Sequence, residues 1–394
     1  MITKYYKKKN LSFHSSFLFA FIFLLFSCAH NKPVIDEKPQ QLVTQQNNEV
    51  TMIAVGDNLI HIELINNAKT GNDEFNFLPY YKNVRPLIET ADIAFINQET
   101  LIAGSEFVYS GYPAFNGPAA LGDAIAGLGF DVVNHATNHS MDKGEKAVYK
   151  VIEYWDKRPE ILMLGLNRSA DDRNEKTITT KNIIEKNNIR FGFLSYTYGL
   201  NGISLPKDKP WLVSLIDTEV MAREIDALRP LCDILIVSMH WGNEYEHKPS
   251  KRQLELAEFL SAHNVDLVIG HHPHVVQPIK TFNRGDGKTT LVFFSLGNFI
   301  SAQVQNYTLL GGMMRVRFIK DSAGVYIDNA EFLPLVTHYD RGYKNFSVYT
   351  LDNYSEEKSK THGSRSEKND VSTAYFNRTI TEVFGGNLSI NAKE

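Results

Sequence analysis

Three histidines crowd into Gly270-His271-His272-Pro273-His274, and another, His240, ends the apolar run from Ile234 to Met239. Imidazoles held in fixed local geometry are what a transition-metal site requires. Of the 13 His in 394 residues, six lie between His240 and His274, so a shared site is the first reading. Pro273 restricts the backbone between His272 and His274, and two imidazoles on one turn reach one ion or two adjacent ones. Asp57 and Glu99 add hard oxygen donors, and Asn138 adds an uncharged amide oxygen. Such a mixed nitrogen and oxygen set suits Mn, Zn or Fe better than Mg or Ca. A pair of these ions about 3.5–4 Å apart activates water and clamps an oxyanion. His139, beside Asn138, is placed to act as general acid or to hold a substrate oxyanion. Glu244, four residues beyond His240, is placed to orient an imidazole.

Each residue also has a plainer reading. Asn138 or Asp142 could cap a following helix, Glu244 could be a solvated loop charge, and Asn298 could only stabilise a turn. His61 and His247 read as surface groups. His271 reads as structural, because neighbouring side chains diverge. Of the two Cys, Cys28 belongs to an N-terminal motif, which leaves Cys232 without a disulfide partner, as a buried small hydrophobe.

The elements that position these residues are short, β-branched or aromatic runs, each followed by a polar group. Thr51–Val55 leads into Gly56-Asp57, and Ile93–Ile96 into Asn97-Gln98-Glu99. Phe130–Val133 leads towards Asn138-His139, and Arg190–Ser195 into Tyr196. Runs ending at His240 and Gly270 follow, and Leu291–Leu296 leads into Gly297-Asn298. Helical spacing fills the intervals at Lys143–Asp156, Asp217–Arg229, with Asp217 as its cap, and Ser250–Asn264. Strand then helix, repeated, predicts an α/β fold with mostly parallel strands. Ligands in such folds gather beyond the carboxyl ends of the strands. Asp57, Asn97, Glu99, Asn138, His139, His240, His272, His274 and Asn298 all fall at that rim.

Beyond Asn298 the pattern alternates as antiparallel strands do, over 311–319 and 324–334. Residues 355–370 read as a charged loop or disordered segment and 373–384 as an amphipathic helix. The chain divides into a signal segment at 1–28, a polar tether at 29–48, a main domain at 49–345 and a C-terminal polar segment with its helix at 346–394. In the first of these, Lys4 and Lys7–Lys9 precede ten apolar residues, Phe17–Phe26, too few to span a bilayer. Leu25-Phe26-Ser27-Cys28 is similar to a bacterial lipobox, whose Cys is lipidated; an ordinary cleaved signal or an uncleaved anchor is the alternative. The expected location is the cell envelope, on the membrane through a lipid anchor. A net charge of −4, without clustered Lys/Arg and aromatics in the globular part, argues against a nucleic-acid partner.

Taken in order, these motifs resemble the CapA family of poly-γ-glutamate capsule synthesis, a branch of the calcineurin-like metallophosphoesterases. The matching elements are Gly56-Asp57, Asn97-Gln98-Glu99, Asn138-His139 through Asp142 to Gly144, His240-Trp241-Gly242-Asn243-Glu244-Tyr245, Gly270–His274 and Ser295–Phe299. The resemblance implies a four-layer α/β/β/α metallophosphatase-like sandwich. It implies one or two divalent ions among Asp57, Glu99, Asn138, His240, His272 and His274, with His139 as the catalytic histidine. Leu59 departs from the wider superfamily's Asp-x-His and removes one usual imidazole; Thr137 stands where Asn is common. The implied function is capsule or related envelope-polymer synthesis with a metal-dependent, phosphoesterase-like hydrolase site. Its partners would be an anionic polymer or phosphoester substrate and capsule synthetase components. The alternative is a non-catalytic polymer-binding or assembly subunit on the same fold.

Overall fold

Parity along the strands decides how this chain layers. The computed structural model describes residues 48–391. The expected signal segment, Cys28 and all but the last residue of the tether lie outside the described residues.

The chain opens with strand β1 (Glu49–Asn58), then helices α1 (Ile62–Ala68), α2 (Leu78–Tyr81) and α3 (Arg85–Glu89). Next come β2 (Ile93–Asn97), α4 (Ala119–Gly127), β3 (Val132–Asn134), α5 (Gly144–Trp155), β4 (Leu162–Leu164) and α6 (Ala170–Ile178). The second half begins with β5 (Ile183–Lys186), β6 (Ile189–Thr197), α7 (Thr218–Leu228), β7 (Ile234–His240), α8 (Lys251–Ala262) and β8 (Leu267–His271). Strands β9 (Val276–Asn283), β10 (Thr289–Leu296), β11 (Asn298–Ile300), β12 (Leu310–Asp321), β13 (Gly324–Asp340) and β14 (Lys344–Thr350) follow. Helices α9 (Glu356–Lys360) and α10 (Thr373–Phe384) and strand β15 (Ser389–Asn391) complete the described residues.

One sheet has the order β14-β13-β12-β1-β2-β3-β4, with β11 beside β1 and β15 beside β13; the other runs β5-β6-β7-β8-β10-β9. Each has a parallel centre, β1 to β4 in the first and β6-β7-β8-β10 in the second. In the second sheet Phe191, Phe193, Ile234, Ile236, Leu267, Ile269 and Phe293 join the large core shared with the first sheet. Their alternates, Leu194, Tyr196, Leu235, Val237, Met239, Val268 and Phe294, pack with Met221, Ile225 and Leu228 of α7 and Leu256 and Leu260 of α8. Side chains of period two thus separate an inter-sheet core from a sheet-helix core. Helices α4 and α5 bury Leu121, Ile125, Val148 and Val151 in the larger core. The result is the expected α/β/β/α sandwich.

The helix starts follow local chemistry. Asp217 accepts from the Glu219 and Val220 amides, as expected. Ser250 and Gln253 form a reciprocal capping box on α8. Three expectations are corrected. Strand β6 runs on to Thr197, so Tyr196 falls on the outward parity, where its hydroxyl donates to Glu224 (2.7 Å). The stretch 355–370 is not merely a loop: Ser355 caps α9, and buried His362 contacts the Thr337 carbonyl (3.1 Å). The boundary drawn between 345 and 346 falls inside β14, whose Phe346 and Val348 enter the main core.

Candidate metal centre

Register brings the polar residues together. Asn134, Asn97, Asp57 and Asn298 are successive partners across β3, β2, β1 and β11. On the facing sheet Thr197, His240 and His271 are partners across β6, β7 and β8. Both rows lie at the carboxyl ends of parallel strands, where the loops add Glu99, Asn138, His139, His272 and His274. Two glycines permit the close approach. A Cβ on Gly56 would stand 1.9 Å from the Gly297 carbonyl oxygen, and one on Gly270 2.0 Å from that of Phe294.

The Gly-His-His-Pro-His turn is strained where it counts. His272 has φ 96° and His274 has φ 57°, on either side of Pro273. Non-glycine residues hold positive φ only where surroundings over-determine them, commonly at functional sites. Here the His272 amide donates to Asp57 Oδ2 (3.3 Å), and the Tyr245 amide donates to the Pro273 carbonyl (2.8 Å).

Asp57 is fully buried and central. Its Oδ1 accepts from Asn97 Nδ2 (2.8 Å), whose own Oδ1 accepts from Asn134 Nδ2 (2.7 Å). His274 Nδ1 lies 3.0 Å from Asp57 Oδ2 and 3.1 Å from Asn298 Oδ1. Burial alone would raise the Asp57 carboxyl, but the hydrogen bond and charge of His274, with His271 and Asn97, hold it below its usual range. His274 is the complement: burial opposes its charge, but Glu99 and Asp57 raise it to about 9.

Glu99 is buried, and neither carboxylate oxygen has a hydrogen-bond partner. Burial pushes its pKa well above the usual range; His274 opposes, and Asp57, Glu244 and Asp142 add to the rise. His240 Nε2 lies 3.6 Å away and His274 Nε2 3.8 Å away. His240 Nε2 also contacts Asn138 Oδ1 at 2.8 Å. His240 Nδ1 and His272 Nδ1 are buried without partners. Burial and neighbouring imidazoles keep His240 well below its ordinary value, and burial, then His274, brings His272 to about 3. Two neutral imidazoles and a carboxylate with unused lone pairs are the donor set a transition cation takes. Ligand atoms lie within 4.8 Å of one another in Glu99-His240-His272, in Asp57-Glu99-His274 and in Glu244-His272-His274. Orphaned polar atoms at a buried site fit a bound cation.

His139 stands beside this set. Its Nδ1 is 2.7 Å from Asp142 Oδ2, and its Nε2 is 3.9 Å from Glu99 Oε1. Phe115 packs edge-on against its ring at 4.6 Å. Asn201 Oδ1 accepts from Asn138 Nδ2 (3.0 Å), and the Tyr198 ring lies 4.5 Å from that of His272. Glu244 is the exposed member of the group.

His271, read as structural, is buried beside the centre: its Nδ1 is 3.6 Å from Asp57 Oδ1, its ring stacks on Phe95, and both its nitrogens are buried without partners. The inward parity of Leu267 and Ile269 on β8 was the signal for it. His61 is not a surface group: it packs edge-on against Phe115, which also touches His139. Asp142, Tyr198 and Asn201 were not assigned to the site from sequence. Asp142 lies one turn from His139; Tyr198 and Asn201 follow a strand end, but nothing in their own residue types marks them.

Residues 51–303 match the sequence model of a family described as bacterial capsule synthesis protein PGA_cap. A PGA biosynthesis protein CapA of Bacillus subtilis (strain 168) is 29% identical over 212 residues, 54% of this chain and 52% of that protein. A capsule biosynthesis protein CapA of Bacillus anthracis is 32% identical over 185 residues, 46% of this chain and 42% of that protein. The matched region thus spans about half the length of these curated relatives or less. Among solved structures, the calcineurin-like phosphoesterase YfkN of Bacillus subtilis is similar at 13% identity and a TM-score of 0.43, covering 85% of this chain and 97% of that one.

Proposed function

The chain belongs to the bacterial capsule synthesis protein family PGA_cap, and from that premise we propose that it serves envelope-polymer synthesis through a metal-dependent hydrolase centre. The observation that carries the reading is Glu99, a buried carboxylate with both oxygens unpartnered among His240, His272 and His274. Asp57, Glu99, Asn138, His240, His272 and His274 would hold one or two divalent transition ions, with Glu244 at the open side. When bound, such an ion supplies Lewis-acid polarisation and a water acidified enough to attack near neutral pH.

The chain's own groups do the rest. Asn134 and Asn97 fix the Asp57 carboxylate through two hydrogen bonds. Asp142 accepts from His139 Nδ1 (2.7 Å), which sets the tautomer and leaves Nε2 facing the centre. Protonated there, His139 donates to the leaving oxygen of a phosphoester; neutral, it takes a proton from the nucleophile. Amide cleavage in a γ-glutamyl chain uses the same groups. Lipid anchoring at Cys28 and contact with capsule synthetase components complete the reading, and Cys28→Ala would release the protein from the membrane fraction.

The test is metal content measured together with turnover of a generic aryl phosphodiester. Near-stoichiometric metal, with both metal and activity lost in His272→Ala, supports the enzyme. A second reading, a non-catalytic polymer-binding subunit, draws on Leu59, buried where the superfamily pattern has an imidazole. Metal far below stoichiometry, no turnover, and polymer binding unchanged by His272→Ala would favour it.

A further inference from the structure

Asn138 differs from the carboxylates and imidazoles around it in having two unlike ends. Its oxygen accepts and its NH2 only donates. A cation is served by the oxygen alone, so the amide has to be held one way round. Asn138 is buried, and its Oδ1 faces His240 Nε2 at 2.8 Å. That contact cannot keep the orientation in a loaded centre, because a ring nitrogen that serves a cation has no proton to give. The hold has to come from the other end of the amide.

That end meets the turn after β6, on the facing sheet. Asn138 Nδ2 donates to Asn201 Oδ1 at 3.0 Å. The turn is itself tied to the centre. The Tyr198 amide donates to the His240 carbonyl (3.0 Å), and the Ile203 amide to the Leu200 carbonyl (2.8 Å). Leu200 is buried in the larger core. Asn201 stands at φ 52° and Gly202 at φ 79°. Asn is one of the few residues besides glycine that enter this left-handed region readily. Asn201 Nδ2 lies 3.3 Å from His139 Nδ1, but the proton on that nitrogen goes to Asp142 at 2.7 Å. The bond to Asn138 is therefore the one that Asn201 contributes. A second acceptor stands near the same amide: burial, Glu244 and Glu99 raise the Tyr198 phenol, and a hydrogen bond from Asn138 opposes the rise. The Tyr198 ring is also packed 4.5 Å from that of His272.

We propose that Asn201 is a positioning residue of the metal centre, whose side-chain oxygen keeps Asn138 turned with Oδ1 toward the cation site. The proposal rests on the reading of Asn138 as a metal ligand, and on no turnover. An Asp at 138 would need no such hold, since both of its oxygens accept.

The test measures the Mn(II) affinity of the full chain by calorimetry, with and without Asn201→Gly, in the wild-type and Asn138→Asp backgrounds. Glycine takes the backbone angle of residue 201 freely, so the variant removes only the acceptor. In the wild-type background Asn201→Gly is expected to weaken Mn(II) binding about tenfold. That is the low end of what outer partners of metal ligands contribute, because Asn201 is exposed and water replaces part of the bond. In Asn138→Asp the same change should alter affinity by less than about twofold. Should Asn138→Asp not fold, Asn138→Ala takes its place with the same expectation. Tyr198→Phe should cost less than Asn201→Gly. An equal loss in both backgrounds overturns the proposal, since Asn201 would then act through the fold at large. So does affinity unchanged in the wild-type background, or a larger loss in Tyr198→Phe, which gives the hold to the phenol. A wild-type chain that binds no Mn(II) overturns the metal reading and the proposal together. Mn(II) binding that depends on Asn201 as expected, without turnover of an aryl phosphodiester, supports the proposal and sinks the hydrolase reading alone.

Discussion

His139 and Asp142 make the sharpest case at the scale of single residues. A histidine with its Nδ1 fixed by a buried carboxylate and its Nε2 turned to a cluster of donors has one useful tautomer. His139→Asn is expected to lower kcat on an aryl phosphodiester by about 10²–10⁴-fold with metal content retained. Asp142→Asn should keep the ring in place but displace the pH profile of kcat. A profile unmoved in Asp142→Asn would leave that carboxylate with only a structural part. The protons on His274 and Glu99 give a second prediction. His274 is held at about 9, above its ordinary 6.5, by Glu99 and Asp57 against burial. Its proton therefore stabilises the metal-free fold fully below pH 6.5, and that contribution is lost as pH rises through about 9. A cation must displace this proton and any on Glu99, whose pKa burial also raises. Metal affinity should thus rise between about pH 6 and 9, with protons released on binding. Calorimetry in two buffers of unlike ionisation enthalpy measures this; affinity flat with pH and no proton release would contradict it.

Strand ends and turns are the scale at which the site is aimed. Asp57 reaches the inter-sheet space because β1 can approach the turn at Gly297, and it can do so only where residue 56 has no Cβ. Gly56→Ala should destabilise the protein by about 3 kcal/mol or more, because backbone rather than a flexible side chain must move. Thermal unfolding of the variant checks this, and a cost below about 1 kcal/mol would mean that the turn yields freely. The paired sequence signals were readable here. Gly-Asp, Gly-His-His-Pro-His and the Asp217 cap follow from local rules, as do the strands ending at Asn97 and His240. Strand β6 reads from sequence as ending at Ser195, two residues short of Thr197, so nothing marks Tyr198 as the tyrosine beside the site.

The whole molecule depends on its last fifty residues more than their polarity suggests. Phe346, Val348, Leu351, Tyr354, Val371, Phe376 and Ile380 all enter the main core. At roughly 1.5–3 kcal/mol for each large apolar side chain removed from water, their joint loss is comparable with the entire stability of a domain. A chain ending at residue 345 is therefore expected to lack a cooperative thermal transition by calorimetry. A sharp transition near that of the full chain would show 346–394 to be an appendage. The segment looked separable because, apart from the amphipathic helix at 373–384, its apolar residues are spread thinly among charges. Its β14 pairs with the preceding β13, and its other apolar residues enter a core built mostly from residues far away in sequence.

Composition, periodicity and motif order were enough to determine an α/β chain with donors at strand ends, because hydrophobic alternation and turn chemistry act over a few residues. Which donors share a pocket was decided only by register and by the facing of two sheets. Those place Asp57 in one row with Asn97, Asn134 and Asn298. They turn His271 inward and bring Tyr198 and Asn201 to the same rim. Long-range packing sets such contacts, and the free energy that selects it is summed over the whole core rather than written at any one position.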